Sequence, residues 1–422
     1  MPHNARRVGY ALIGSFLGWS VWVGLIMGPF ALWSLPILWA STADASEAAA
    51  LMIGYYATAT AGTLWALNSF YGPAAAVAGW VGCTLLLAGP FILARRGAIG
   101  ARWRAAGIGL RYGAALLAVS MPPLGVIGMA SPWCAATASF PGLGLVGLGL
   151  GGLAGSVLAA VTWGYRRSPS RAYGLTGLAV VTALSAGALL PTPASSSVPR
   201  IEGLVSRLRE TVSPSFAHVL RQNIALVGAV KKRLAYVPPH TLLVLPEDAA
   251  EHWQPLVAAL WWPVALDAYR HHDTVALGIY ARLPHDQHKR DGLLLMGRHA
   301  GLIGGRQPVP LADWAPWKAH GAKAHWTRLG STPAFGRPAA VLICYEQLLV
   351  WPVAETFLGS SRPTVLIGAS NHWWLASDAS EARMQARTLR DWGRLYGVPV
   401  VMADNRPPRP GRPNFVWEGE GK

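Results

Sequence analysis

Cys344, Tyr345 and Glu346 fall together in AVLICYEQLL (340–349), where an apolar run meets a thiol, a phenol and a carboxylate and then turns apolar again. A cysteine nucleophile needs a base to take its proton, and a donor or cation to hold the oxyanion its attack creates. Glu247 offers the base. It closes the apolar part of TLLVLPEDA (241–249), and partial burial at a strand end raises a carboxyl pKa toward neutrality. Each residue alone has an ordinary structural explanation, a small core thiol or a capping carboxylate. On neighbouring strand ends they become a candidate pair.

The elements needed to bring them together can be read from residue 201 onward. Short β-rich runs alternate with helical ones: a strand at 241–249, a helix over 252–271, a strand at 274–280 and a hairpin over 291–305. Strands at 339–346 and 363–371, a helix over 379–396 and a strand at 398–405 complete an α/β domain. Open α/β sheets place ligands at the C-terminal ends of their strands, so Glu247, Cys344 and Asn371 should share one rim.

Before residue 192 the chain reads differently. Long uncharged runs at 48–67, 72–94, 107–130, 142–165 and 172–191 are each about the length that crosses a ~30 Å hydrocarbon layer. Residues 11–40 are long for one crossing and short for two. Arginines fall in three groups between the runs: Arg6 and Arg7; Arg95, Arg96, Arg102 and Arg104; Arg166, Arg167 and Arg171. The positive-inside rule puts all three groups on the cytoplasmic side only if 11–40 crosses twice, which gives seven spans and an extracytoplasmic C-terminal part. STADA (41–45) resembles a signal-peptide cleavage site, but the apolar region before it far exceeds the usual h-region of about 7–15 residues. The division expected is therefore a transmembrane domain over 1–191, a Pro/Ser linker over 192–200 and a catalytic domain over 201–422.

Other chemistries lack residues. The three cysteines make no disulfide framework, and CxxC, HExxH and GxxxxGK[ST] motifs are missing, so neither a metal nor another cofactor is called for. His271 and His272 are adjacent, the wrong spacing for ligands on one helix face, and read as surface. GLGLVGLGLGGLAGSV (142–157) reads as close helix packing rather than phosphate binding. The net charge of +16 fits anionic lipid headgroups as readily as nucleic acid, and no direct nucleic-acid binding is expected. Tryptophans 261, 262, 314, 317, 373 and 374 suit either headgroup-level loops or the core.

LLVLPEDA, VLICYE, LIGASNHWW and GVPVVMADN resemble, in order, the motifs of the nitrilase (carbon-nitrogen hydrolase) superfamily. The Cys-Tyr-Glu triplet and the membrane half are similar to the apolipoprotein N-acyltransferase branch, as is VPLADWAPW (309–317). The polar EGEGK end, with no eighth span, resembles the TraB family of conjugal transfer proteins. The resemblance implies a polytopic helical membrane domain followed by a nitrilase-like αββα sandwich at the bacterial inner membrane, periplasmic in its catalytic part. It implies a Glu-Lys-Cys triad working through a thioester on a phospholipid or lipid-linked substrate, with conjugation or envelope proteins as partners. Glu247 and Cys344 match, and Asp313, Tyr345, Glu346 and Asn371 take supporting places. The lysine falls at Gly305, which leaves Arg306 as a substitute and Lys289 as a weaker one; a guanidinium is no equivalent of an ammonium. The alternative is a catalytically silent scaffold of the same fold.

Overall fold

The computed structural model describes residues 3–97, 104–191, 200–209, 215–251, 253–282, 289–317, 321–334, 336–375 and 380–419. They fall into two compact units: 1–194 with 348–351 and 383–397, and the remainder. Most of the expected linker, the residue Arg102 and the last three residues of the EGEGK end lie outside the described residues.

The first unit is helical: α1 (His3–Gly18), α2 (Ser34–Ser41), α3 (Ala45–Ala59), α4 (Gly62–Tyr71), α5 (Pro73–Ala94), α6 (Arg104–Ser120), α7 (Ala135–Ser139), α8 (Gly144–Arg167) and α9 (Arg171–Leu189). Among the described residues, α5, α8 and α9 are long and apolar enough to cross a membrane. The run 48–67 is broken between α3 and α4, where the Thr60 hydroxyl bonds back to the Tyr56 carbonyl (2.7 Å) and competes with the helical ladder. The run 107–130 is helical only to Ser120, since Pro122 and Pro123 cannot extend it.

The ends of the 11–40 run return to one place. Arg6 pairs with Glu47 at 3.1 Å, the Arg7 Nε donates to Ser46 at 2.9 Å, and the Tyr10 hydroxyl donates to the Ser41 carbonyl at 3.0 Å. Arg95 donates to Thr42, and Arg166 donates to the Ser41 carbonyl. At least one member of each arginine group thus reaches residues 41–47. STADA serves there as the start of α3: Asp44 accepts the N–H groups of Ser46 and Glu47, while Glu47 accepts that of Ala43, a reciprocal cap.

The second unit is built on β1 (Ile201–Ser206), β2 (Leu242–Val244), β3 (Thr274–Arg282), β4 (Lys289–Gly297), β5 (Gly301–Gly304), β6 (Thr332–Ala334), β7 (Arg337–Ile343), β8 (Leu366–Asn371), β9 (Val400–Asn405) and β10 (Phe415–Gly419). Their order is β5-β4-β3-β2-β1-β9-β8-β7-β6, with β10 also on β1. β1 is the seam, pairing in parallel with β2 through Ile201–Gly203 and with β9 through Val205 and Ser206. The inner faces of the two halves pack on each other: Val244, Ala276, Leu293 and Ile303 share one core with Val341, Ile367, Ala369 and Val401. The outer face of the β1–β5 half is covered by α10 (Phe216–Leu234) and α11 (Pro255–Arg270), through Leu226, Val230, Val257, Trp261 and Val264. This is the expected α/β sandwich. Helices α12 (Val350–Thr356) and α13 (Ser380–Tyr396) link β7 to β8 and β8 to β9.

The tryptophan pair on α11 splits. Trp261 is buried and donates its indole N–H to Asn223 at 2.8 Å, whereas Trp262 is exposed, as is Trp317. His271 and His272 are on the surface, as their spacing suggests.

Candidate active site

Cys344 arrives at the end of β7. The strand stops at Ile343 and turns at once into a 3-10 turn over Cys344–Leu348, with Cys344 at φ +44°. That left-handed backbone costs a non-glycine residue on the order of 1–3 kcal/mol, and such a turn presents a nucleophile at the sheet rim. Glu346 fixes it. Its buried carboxylate accepts the N–H groups of Ile343 (2.9 Å), Gln307 (2.7 Å) and Arg306. Burial raises its pKa, while the Arg306 charge and those N–H groups pull it down. Gln347 ties the same turn to β8 through the Ala369 carbonyl (3.2 Å) and the Ser370 hydroxyl (2.9 Å). Tyr345 is buried within it.

Glu247 comes from the loop after β2, which lies flat on β3. The Leu245 N–H donates to the Ala276 carbonyl (2.8 Å) and the Ala250 N–H to that of Gly278 (3.0 Å). A Cβ on Gly278 would stand 1.9 Å from the Pro246 carbonyl oxygen, so only glycine lets this loop settle. The Glu247 side chain is thereby brought into hydrogen-bond contact with Cys344, whose sulfur also accepts the backbone N–H of Asn371. Asn371 is itself held, its Oδ1 accepting from Asn405 at 3.1 Å; Asn405 in turn accepts from the Ser206 hydroxyl (2.8 Å) and the Leu208 N–H (2.9 Å). The ends of β1, β8 and β9 are laced together in this way. Next along, buried His372 contacts Asp404 at 2.6 Å, and Arg406 donates to the other oxygen of that carboxylate at 2.8 Å. Burial pulls Asp404 up, but His372 and Arg406 hold it below the ordinary carboxylate value.

A third acid stands with Glu247 and Cys344. Asp291 lies on β4 opposite Tyr280 of β3 and is buried; its side chain hydrogen-bonds Glu247, and its carbonyl accepts the Gly305 N–H at 2.9 Å. Sequence reasoning missed it. Burial pushes Glu247 and Asp291 well above the carboxylate range; Asp313 and Asp248 add to both, and Asp291 adds to Glu247. The thiol is pushed up by burial and then by both acids. Asp313 reaches the site from the turn in which its N–H meets the Val309 carbonyl (3.0 Å) and its carbonyl accepts the Ala322 N–H (2.9 Å).

Arg306 is not brought to the thiol. Its guanidinium is buried and donates to the carbonyls of Arg328 (3.1 Å) and Gly330 (2.7 Å), while the charges acting on it are those of Glu346, Arg328 and Glu355. What Arg306 gives the site is its backbone N–H, on Glu346. At position 305, a Cβ would sit 3.3 Å from Glu346 Oε1. The Lys289 side chain lies outside the described residues.

The rim therefore assembles a strained thiol, a carboxylate touching it and a backbone N–H on the sulfur, with Asp291 behind. Such a set can take a proton from the thiol and form a covalent acyl intermediate.

The chain is 30% identical over 398 residues to the conjugal transfer protein TraB of Agrobacterium fabrum, covering 88% of this chain and 86% of that one. It is 28% identical over 407 residues to the probable conjugal transfer protein TraB of Sinorhizobium fredii, covering 94% and 96%. Similar solved structures include a mutant of the amidase from Nesterenkonia sp. AN1 with covalent addition of the acetamide moiety of fluoroacetamide at its active-site cysteine. That likeness has a TM-score of 0.36 and 15% identity, and covers 55% of this chain and 82% of that one. Another is the carbon-nitrogen hydrolase from Helicobacter pylori G27, with a TM-score of 0.34, 12% identity, and 48% and 73% covered. No family model matches the chain.

Proposed function

Because the chain belongs to the TraB family of conjugal transfer proteins, we propose that it is a membrane-bound cysteine acyltransferase or amidase that works through a thioester on a phospholipid or another lipid-linked envelope substrate. The observation that carries this reading is the contact of Glu247 with Cys344 in a strained turn at the strand rim. Glu247 takes the thiol proton as sulfur adds to the ester or amide carbonyl. The tetrahedral adduct expels the alcohol or amine, which leaves with the proton from Glu247. An acceptor amine or water then attacks the thioester, giving its proton to Glu247, and the departing thiolate takes it back. Asn371 steadies the sulfur through its N–H, Glu346 and Tyr345 set the turn, and Asp313 adds negative charge at the mouth. The site sits on the inner (cell) membrane with its catalytic part in the periplasm, where conjugal transfer or envelope proteins are its partners.

The test is intact-protein mass spectrometry of protein purified from membranes and incubated with phospholipid vesicles, wild type beside Cys344→Ala, with and without hydroxylamine. An acyl-sized increment that hydroxylamine removes and the variant lacks is expected. A second reading, a silent scaffold of the conjugation or envelope machinery, is favoured by Gly305 standing where the resemblance asks for lysine. It predicts that Cys344→Ala supports plasmid transfer at the wild-type frequency; the enzyme reading predicts loss.

A further inference from the structure

A basic segment at the thiol's end of the sheet takes no part in the chemistry above. RPPRPGRP (406–413) spaces Arg406, Arg409 and Arg412 three residues apart and joins β9 to β10. It is anchored at both ends on the end of β1: the Arg406 N–H donates to the Ser206 carbonyl (2.9 Å), and the Asn414 carbonyl accepts the Arg207 N–H (2.8 Å). Because β1, β9, β8 and β7 pair in parallel, this is the end at which β7 delivers Cys344. Within the segment, the Arg412 N–H meets the Arg409 carbonyl at 3.2 Å, with Pro410 and Gly411 between them and Gly411 at φ +73°. That is a type II turn, which holds the Cα atoms of its first and last residues within about 7 Å of each other. Both arginines are exposed, and a Cβ on Gly411 would meet nothing, so the tip is open.

Two further arginines flank the turn. Arg406 donates to Asp404 at 2.8 Å, and half-buried Arg207 donates to the Pro413 carbonyl at 3.5 Å. Burial, and then the charges of Arg406, Arg409 and Arg412, hold the Arg207 guanidinium below its ordinary value, with Glu418 pulling the other way. Like charges held this close repel, and an anion shared among them relieves the repulsion. Phosphate suits them, since the guanidinium fork matches its oxygens. Nucleic-acid sites interleave free aromatic faces with their cations; here Phe415 and Trp417, next along β10, pack against the core. The solvent-facing apolar groups stand on another loop: the segment that brings Asp313 to the site exposes Leu311 and Trp317. Arginines together with exposed Leu and Trp are the pattern of a surface that rests on lipid headgroups.

We propose that the Arg409–Arg412 turn, flanked by Arg207, docks this end of the sheet on anionic phospholipids by binding their headgroup phosphates, and so presents lipid to the rim that carries Cys344. The proposal rests on reading that rim as a site for lipid-linked substrates, although docking itself requires no reaction.

The test follows phenylglyoxal modification of single arginines by peptide mass spectrometry, in full-length protein held in nanodiscs of phosphatidylcholine alone or mixed with phosphatidylglycerol. Arg337 is the control: it is exposed, belongs to the same unit and starts β7, so it stands at the opposite end of that strand from Cys344. Phosphatidylglycerol should slow modification of Arg409 and Arg412 about threefold or more and leave Arg337 unchanged. Equal rates in the two nanodiscs, or the same slowing at Arg337, overturn the proposal. In phosphatidylcholine nanodiscs, equal slowing by free inorganic phosphate would mark an adventitious anion site and overturn it too. Slowing by a single-stranded oligonucleotide, with none from phosphatidylglycerol, would overturn it in favour of a nucleic-acid surface. Labelling does not depend on Cys344. Slowing at the turn in a protein that forms no acyl adduct would leave the docking standing and remove only the proposed acyl transfer; adducts without slowing would do the reverse.

Discussion

Asp291 shows what residue-level reading misses. Cys344 and Glu247 could be found from sequence because each follows an unbroken apolar run, so a strand end and its polar rim are visible together. Asp291 opens the hairpin read over 291–305, directly after Lys289 and Arg290, and nothing in that pattern marks it as buried; only the β3–β4 register sets it opposite Tyr280 and inside. Arg306 erred the other way, a cation beside the lysine position whose guanidinium goes to loop carbonyls. The buried acid has a consequence for stability that can be signed. A carboxyl whose folded pKa is raised binds more protons folded than unfolded, so its contribution falls as pH rises from the ordinary carboxylate range through the folded value. Asp291→Asn removes that loss. Its melting temperature relative to wild type should therefore increase from about pH 5 to about pH 9. Thermal melts at matched ionic strength test this, and a difference constant with pH would mean that Asp291 does not hold a raised pKa.

Elements were legible where pattern and packing agree, and blurred where a residue serves a neighbour instead. IEGLVSRL makes a poor strand by propensity because of Gly203, yet β1 is the seam of the sheet. A Cβ on Gly203 would stand 1.9 Å from the Met402 carbonyl oxygen, so the glycine that hides the strand is what lets β9 close on it. The helix α13 was plain from its alternation of apolar and basic residues, but not what its arginines do. Within the first unit, the Arg387 guanidinium donates to the carbonyl of Val21, in the π-helical turn Trp19–Val23 that follows α1, and to that of Met27 beyond it, where an apolar setting leaves those groups few other donors. Arg387→Ala should cost about 1–3 kcal/mol, the penalty of carbonyls left unpartnered. Exposed Arg390 is the control, and its alanine variant should fall within about 0.5 kcal/mol of wild type. Detergent-solubilised melts of the two variants provide the measurement. Equal effects would show that Arg387 carries no special load.

For the whole molecule, the question is which side each end of the helical unit faces, and charge and geometry point the same way. The arginines that follow α5 and end α8 meet Arg6 and Arg7 around residues 41–47, so 11–40 leaves and returns to that end. Positive charge favours the cytoplasmic face for it. From Arg171, the 19 residues of α9 rise about 28 Å, enough to carry Leu189 to the opposite end. The chain from residue 200 onward, including Glu247 and Cys344, is then expected outside the cytoplasm. Reporters that fold on only one side of the membrane, inserted between residues 98 and 103 and fused after residue 200, read this directly. The first position should be active as a cytoplasmic fusion and the second as a periplasmic one. Cytoplasmic activity at the second would place the thiol among cytosolic substrates and remove outer-leaflet phospholipids and periplasmic proteins as donor and acceptor. The expected result would restrict both to groups reachable from the outer leaflet, which is where the acyl-adduct experiment should then look.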